Sequence, residues 1–288
     1  MKVIIVGGVA GGASAATRLR RLNEQAEIII FERSGFVSYA NCGLPYFVGD
    51  VITDPEELTL QSPESLFRRF RIDVRVKHEV TQIHPERKAV SVRNLETGEV
   101  FEESYDKVIL SPGAKAIKPS IVGCEDRVFT LRTVEDTLRI KNYIDQKKPK
   151  TAVLAGGGFI SLELAENLRE QGINVTVVQS ANQLMNPFDP EMAAFIHNEL
   201  RRQGVNIVFG HAVEEINGSE NGVDVALSGE CILHADMAAL AIGVTPDTAL
   251  AKDAGMVIMK SDERMYVACG LLYSNGLLGG ECTSWQKA

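Results

Sequence analysis

The chain opens on Lys2-Val3-Ile4-Ile5-Val6, a short apolar run rich in β-branched residues, as expected of a strand covered on both faces. It stops at Gly7-Gly8-Val9-Ala10-Gly11-Gly12. Ala13 to Leu22 are good helix formers, with Ala16, Leu19 and Asn23 on one face and Arg18 and Arg21 on another. A second apolar run, Ile28 to Phe31, ends at Glu32. The same order of strand, glycine turn, helix and strand restarts at Thr151. There Ala152 to Ala155 lead into Gly156-Gly157-Gly158-Phe159-Ile160-Ser161, then a helix to Gln171, Gly172 and a strand from Asn174 to Val178.

Between and after these units the pattern predicts further elements. Ser62-Pro63-Glu64 is a helix start with a capping hydroxyl and proline at the first helical position, and Leu66, Phe67 and Phe70 form an apolar stripe expected in the core. Asp73 to Val80 alternates as one strand, and Lys88 to Asn94 pairs with Glu99 to Tyr105 across Thr97-Gly98 in a small meander. Lys107 to Leu110 is a buried strand ending in Ser111-Pro112-Gly113. Asp189-Pro190-Glu191 opens a helix carrying His197 and Leu200, Val205 to Phe209 reads as a strand, and Met237 to Ile242 is a buried run closing on Gly243-Val244-Thr245-Pro246. Beyond Met259 the residues from Cys269 to Gly276 show no periodicity. The class is α/β: two Rossmann-like three-layer domains, each with a small antiparallel meander.

The chemistry of such units is specific. Glycines let the backbone pass close to a pyrophosphate, a helix start offers N–H donors to it, and an acid ending the second strand accepts from ribose hydroxyls. Glu32 lies twenty residues after Gly12, as this requires, although Val9 stands where the fingerprint has its second glycine. In the second unit glycines occupy the first two fingerprint positions and Ser161 the third. Gln179-Ser180 stands where an acid would select a 2′-hydroxyl or an arginine a 2′-phosphate, so the choice between NADH and NADPH is open.

Composition narrows the partners. A net charge of -8 and an isoelectric point near 5.3 argue against nucleic acid or an anionic membrane surface as partner. The 288 residues exceed one ordinary core. Five cysteines without regular spacing fit a reducing cytoplasm better than a disulfide framework, and Val3 to Val6 is too short for a signal h-region. The five histidines fall in no metal-ligand spacing, so no metal is expected.

Cys42 lies in Ser38-Tyr39-Ala40-Asn41-Cys42-Gly43-Leu44-Pro45-Tyr46-Phe47-Val48-Gly49. Turn-forming neighbours suit a loop or helix start, where a thiol ionises more readily than in a packed core. Pro45 and Phe47 stand three and five residues on, so no local dithiol can form, and Cys42 would cycle alone through a mixed disulfide or a sulfenic acid.

Over residues 1–259 the chain resembles the FAD-dependent pyridine nucleotide-disulfide oxidoreductases, and within them the single-cysteine branch. The features that carry the resemblance are Gly7 to Gly12 with Glu32, Asn41-Cys42-Gly43-Leu44-Pro45-Tyr46, Ser111-Pro112-Gly113, Gly156 to Glu163, and Ala241 to Pro246. The cysteine segment is most similar to that of coenzyme A-disulfide reductases. The branch's oxidases and peroxidases commonly carry a histidine where this chain has Ala10. The resemblance implies an FAD domain at 1–112, an NAD(P)H domain at 113–245 and a return segment with an atypical tail at 246–288.

By the same resemblance, Gly7, Gly8, Val9, Ala10, Gly11, Gly12, Glu32, Arg33, Ser111, Pro112 and Gly113 would hold FAD. Gly156, Gly158, Phe159, Ile160, Glu163 and Gly243 would hold NADPH or NADH, with Phe159 as a gate and Glu163 orienting the nicotinamide. Cys42 would be catalytic, and Ser14, Arg18, Arg21, Ser38 and Asn41 would contact coenzyme A disulfide. Family members continue into a flavin-binding Gly-Asp strand and a dimerisation domain. Residues 260–288 do not read as that segment, so a truncated chain is expected and the family's homodimer is not carried over. An oxidase or peroxidase working through a sulfenic acid, and a non-catalytic nucleotide-binding form, are the alternatives.

Overall fold

The computed structural model describes residues 1–256 and the strand at 272–274. Along the chain, β1 (Lys2–Val6), α1 (Ala10–Leu22) and β2 (Glu27–Glu32) form the first strand, helix and strand. A 3-10 turn at Asn41–Gly43 runs into the short α2 (Leu44–Val48), and α3 (Pro63–Phe70) precedes β3 (Asp73–Val76). Next come β4 (His78–His84), β5 (Ala89–Asn94), β6 (Val100–Ser104) and β7 (Lys107–Leu110), then the short β8 (Ala114–Ala116) and β9 (Ser120–Val122).

The second alternation runs through β10 (Val128–Thr130), α4 (Val134–Lys147), β11 (Thr151–Ala155), α5 (Phe159–Glu170), β12 (Asn174–Gln179), α6 (Pro190–Arg202) and β13 (Asn206–Phe209). It is followed by β14 (Val213–Gly218), β15 (Val223–Leu227), β16 (Cys231–Ala235), β17 (Met237–Leu240), β18 (Val244–Pro246), α7 (Ala249–Asp253) and β19 (Leu272–Ser274).

By internal contacts the chain forms two units. The first takes Met1–Tyr39, Thr59–Lys115 and the described residues from Pro246 on; the second takes Ala40–Leu58 and Ala116–Thr245. In the first, β7, β1, β2 and β3 lie parallel in that order, with β19 antiparallel beside β7. Successive residues of a strand face opposite ways, and the two faces of β1 and β2 are covered differently. Val3, Ile5, Ile28 and Ile30 pack with Ala16 of α1, while Ile4, Val6, Ile29 and Phe31 pack with Val80, Val90 and Val92 of the β4-β5-β6 meander and Ala251 of α7. Burying such a side chain contributes about 1.5–3 kcal/mol.

The second unit repeats the plan. Its parallel sheet runs β10-β17-β11-β12-β13. Val153, Ala155, Val178, Ala238 and Leu240 pack against Ile216, Val223 and Val225 of a second sheet ordered β16-β15-β14-β9. The α/β class with two Rossmann-like units and a meander in each is therefore the observed architecture. Among the described residues no helix is long and apolar enough to cross a membrane.

Three elements depart from the sequence pattern. Asp73 to Val80 is not one strand: Lys77 takes a left-handed φ of 56°, ending β3 in the parallel sheet and starting β4 in the meander. The alternation of valines persists because each half faces its own core. Phe67 is 51% exposed although Leu66 is 1% exposed, since a two-turn helix buries a single edge; the Arg71 guanidinium lies over the Phe67 ring at 5.6 Å. The strand Leu272–Ser274 arises within a stretch without periodicity. The rest of the expected tail at 260–288 lies outside the described residues. The start of α3 is as expected, with Ser62 and Ser65 forming a reciprocal capping pair.

Leu66→Ala should lower stability by about 2–5 kcal/mol, and Phe67→Ala by well under about 1 kcal/mol. Urea unfolding of both variants checks the contrast.

Candidate functional site

In the first unit the glycine loop is built against backbone. Gly7 has φ +93°, and a Cβ there would stand 2.1 Å from the Ser111 carbonyl oxygen at the end of β7. A Cβ on Gly12 would stand 1.8 Å from the Gly7 carbonyl oxygen, so the first turn of α1 can pass over the loop only without a side chain. Val9, at φ -90°, needs no glycine for its dihedrals and caps α1 without a side-chain hydrogen bond. The first-turn N–H groups of α1 thus have no side-chain cap, which suits an incoming phosphate. Glu32 is buried; its carboxylate accepts from Gly8 N at 2.7 Å and Ser34 N at 2.8 Å. Arg33 donates to Asp247 at 3.0 Å, and Lys115 pairs with the same carboxylate at 3.0 Å. Glycine cradle, uncapped helix start and terminal acid together fit a dinucleotide.

The second unit repeats the arrangement. Gly156 has φ +102°, and its Cβ would stand 2.3 Å from the Ala241 carbonyl oxygen at the end of β17. A Cβ on Gly158 would meet nothing within 4 Å, leaving the room that a close-approaching diphosphate needs. Gly158 caps α5 without a side-chain hydrogen bond. Ser161, in the third fingerprint place, is buried with its hydroxyl unpartnered. Gln179 does here what Glu32 does in the first unit, accepting from Gly157 N at 3.1 Å. A cavity of about 440 Å³ opens over this loop, lined by Gly156 to Phe159, Gln179, Ser180, His211 and Ala241 to Gly243, among others. Phe159 is 61% exposed and meets the edge of Phe188 at 6.4 Å.

Cys42 belongs by contacts to this second unit. It is exposed, in the 3-10 turn that leads into α2. α2 packs on α5 and α4, and the contact with α5 is made through Gly49, where a Cβ would fall 1.8 Å from the Asn167 side-chain oxygen. The buried Asn167 donates in turn to the Glu163 carbonyl at 2.7 Å. Two more contacts hold the end of α2: the Gln171 amide donates to the Val48 carbonyl, and Lys141 donates to Asp50 at 2.9 Å. Burial pushes the Tyr46 hydroxyl up, with Glu163, Glu166 and the Cys42 sulfur adding to the shift. Burial, then Glu166, raises the Glu163 carboxyl. Thiol, phenol and two carboxyls therefore share one electrostatic neighbourhood beside the second glycine loop.

The remaining residues singled out from the sequence divide between the units. Ser14, Arg18 and Arg21 lie three and four residues apart on the exposed face of α1, and Ser38 N donates to the Gly8 carbonyl at 2.9 Å, all in the first unit. Asn41 is exposed beside Cys42 in the second. Pro112 and Gly113 follow Ser111 at the end of β7, and Gly243 accepts from Ile117 N at 3.0 Å. Ile160 is half-buried in the first turn of α5. Among the described residues no group of three or more His, Cys, Asp or Glu is placed to hold a metal.

A sequence profile described as pyridine nucleotide-disulphide oxidoreductase matches residues 1–276. The chain belongs to this family. It is 36% identical over 257 residues to a coenzyme A disulfide reductase of Staphylococcus epidermidis, covering 89% of this chain and 57% of the relative. A solved structure, the reduced CoADR-RHD of Bacillus anthracis, is 51% identical with a TM-score of 0.85, over 90% of this chain and 46% of that one. The water-forming NADH oxidase of Lactobacillus brevis bound to NADH is 31% identical with a TM-score of 0.83, over 90% and 57% of the respective chains. The chain thus spans little more than half the length of the curated relative.

Asn167 and Glu166 carry no motif and so do not stand out in the sequence: Asn167 acts through the packing of α2 and Glu166 through its charge near Tyr46 and Glu163. In the sequence Gln179 is only the absence of an acid, although a carboxamide at that place still supplies an acceptor for the loop.

Gly49→Ala should separate α2 from α5, costing about 1–3 kcal/mol and changing the alkylation rate of Cys42 by iodoacetamide. Both are measured on the purified chain, the first by thermal unfolding. A second expectation concerns pH. His197 Nε2 accepts from Leu184 N at 3.0 Å, anchoring the segment that lines the cavity, and burial, then Arg201, lowers its pKa. The unfolded chain therefore binds more protons below the usual imidazole value of 6.5, and stability falls as pH drops from there toward the folded value. Melting temperatures between pH 7.5 and 5 should show this loss, and His197→Gln should remove it.

Proposed function

We propose that the chain is the FAD- and NAD(P)H-binding part of a coenzyme A-disulfide reductase working through the single thiol of Cys42. The observation that carries this is the packing of the Cys42 segment on α5, the helix that begins at the second glycine loop. The likeness to coenzyme A disulfide reductases supports the substrate. FAD would lie on the Gly7 to Gly12 loop with Glu32, Arg33 and Ser111 to Gly113, and NADPH or NADH on Gly156, Gly158, Phe159, Ile160, Glu163 and Gly243. The domains would then run 1–112, 113–245 and 246–288, with Ala40–Leu58 packed on the second.

In the reaction Cys42, as thiolate, attacks one sulfur of coenzyme A disulfide. The S–S bond breaks, one coenzyme A leaves and takes a proton, and the other stays joined to the Cys42 sulfur as a mixed disulfide. When bound on the Gly7 to Gly12 loop, FAD would supply two electrons drawn from NADPH or NADH; with one proton these release the second thiol and restore the Cys42 thiolate. Tyr46, whose hydroxyl burial pushes up, stays protonated within electrostatic reach of the Cys42 sulfur and would donate a hydrogen bond toward it. Arg18 and Arg21, with Ser14, Ser38 and Asn41, would hold the phosphates and amides of the substrate.

A second reading, oxygen or peroxide reduction through a Cys42 sulfenic acid, is favoured by the likeness to an NADH oxidase. Ala10, in the place where that branch commonly has histidine, weighs against it.

Cys42→Ser should abolish coenzyme A-disulfide reduction by at least about a thousandfold while NADPH or NADH still bleaches the flavin absorbance. Unchanged disulfide turnover would refute the role of Cys42. NADH-dependent oxygen uptake independent of coenzyme A disulfide would favour the second reading.

A further inference from the structure

On the reading that the cavity over Gly156 to Phe159 takes a pyridine nucleotide, we propose that His211 meets the 2′ position of its adenosine ribose and makes the site accept both NADP(H) and NAD(H). In a unit of this type the residue ending the second strand normally contacts that ribose, an acid selecting the hydroxyl. Here the residue is Gln179, and its amide is already engaged. The carbonyl accepts from Gly157 N at 3.1 Å and the NH2 donates to the Gln183 carbonyl at 3.3 Å. The 2′ substituent must find its partner elsewhere on the cavity wall.

The backbone register shows where. Gln179 pairs with Phe209 across β12 and β13, and Gly210 N donates to the Ala181 carbonyl at 3.3 Å. The chain leaving β13 therefore runs beside the chain leaving β12 and delivers His211 to the same cavity as Ser180. Among the described residues His211 is the one ionisable side chain in that lining, which holds no carboxylate to repel a 2′-phosphate and no arginine or lysine to demand one. On the elements packed around His211 the charged residues are Glu214 and Glu215 on β14, Asp224 on β15 and Glu230 beside Gly229, all outside the lining.

The tautomer completes the argument. His211 Nδ1 lies 2.6 Å from the Ser228 carbonyl oxygen, which can only accept, so Nδ1 carries its hydrogen. Nε2 is then the variable atom. As a lone pair it accepts from a 2′-hydroxyl, and as N–H of the cation it donates to a 2′-phosphate. A single side chain serves both nucleotides.

Titration calorimetry of NADP+ and NAD+ on the folded chain tests this. The two dissociation constants should agree within about tenfold, and His211→Ala should weaken NADP+ by about tenfold with NAD+ changed less than about threefold. His211→Gln keeps a donor for the Ser228 carbonyl, so a local loosening of the turn is separated from loss of the imidazole; it should lose NADP+ like the alanine variant. An unchanged NADP+ to NAD+ ratio in both variants, or a wild-type preference beyond about a hundredfold, would overturn the role of His211. Failure of both nucleotides to bind the folded wild-type chain would instead overturn the nucleotide site itself.

Discussion

A glycine pressed against the carbonyl of the neighbouring strand is the constraint on which both halves of this protein depend. Gly7 meets Ser111 and Gly156 meets Ala241 at distances that leave no room for a side chain, and both adopt a positive φ. The contact turns the chain sharply off the top of β1 and of β11, aims the next helix back along the sheet, and leaves its first amides facing outward. The uncapped amides that a phosphate would meet at each loop follow from how the turn is forced. The acceptor that steadies each loop can then vary, a carboxylate in Glu32 and a carboxamide in Gln179, because the loop presents a single backbone N–H to either; Glu32 takes a second from Ser34.

Around the second turn the packing of α2 brings a thiol to the helix that begins at the glycine loop. Gly49 lets α2 lie directly on Asn167, and Gln171 and Lys141 hold its end. Cys42 is therefore positioned by the helix that the nucleotide would cap. Burial first, and then the neighbouring carboxylates, raise both Tyr46 and Glu163.

Much of the architecture is legible in the residues because short β-branched runs ended by glycine have few other uses. β1, β11 and the helices after them follow this rule, as does the hairpin of β5 and β6. What escapes a linear reading is decided by partners distant in sequence. Nothing between Val76 and His78 announces that one alternating run serves two sheets. Phe67 reads as core until the shortness of α3 leaves it outside. At the site, the fingerprint glycines and Cys42 stand out as residue types, whereas Asn167 and His211 matter through where the fold carries them, and a lone asparagine or histidine in a sequence signals neither.

The order in which the chain must assemble follows from where α7 packs. Ala251, 2% exposed, sits in one cluster with Ile4 and Val92, so the first core is completed by residues made after the whole second sheet. The second unit likewise borrows Ala40–Leu58 from upstream. Neither half is a continuous stretch that a ribosome could release and leave to fold before the next is made, and contacts spanning some 250 positions slow the search. Until the later residues emerge, the part of the meander that α7 packs on stays uncovered, an apolar edge open to association during synthesis.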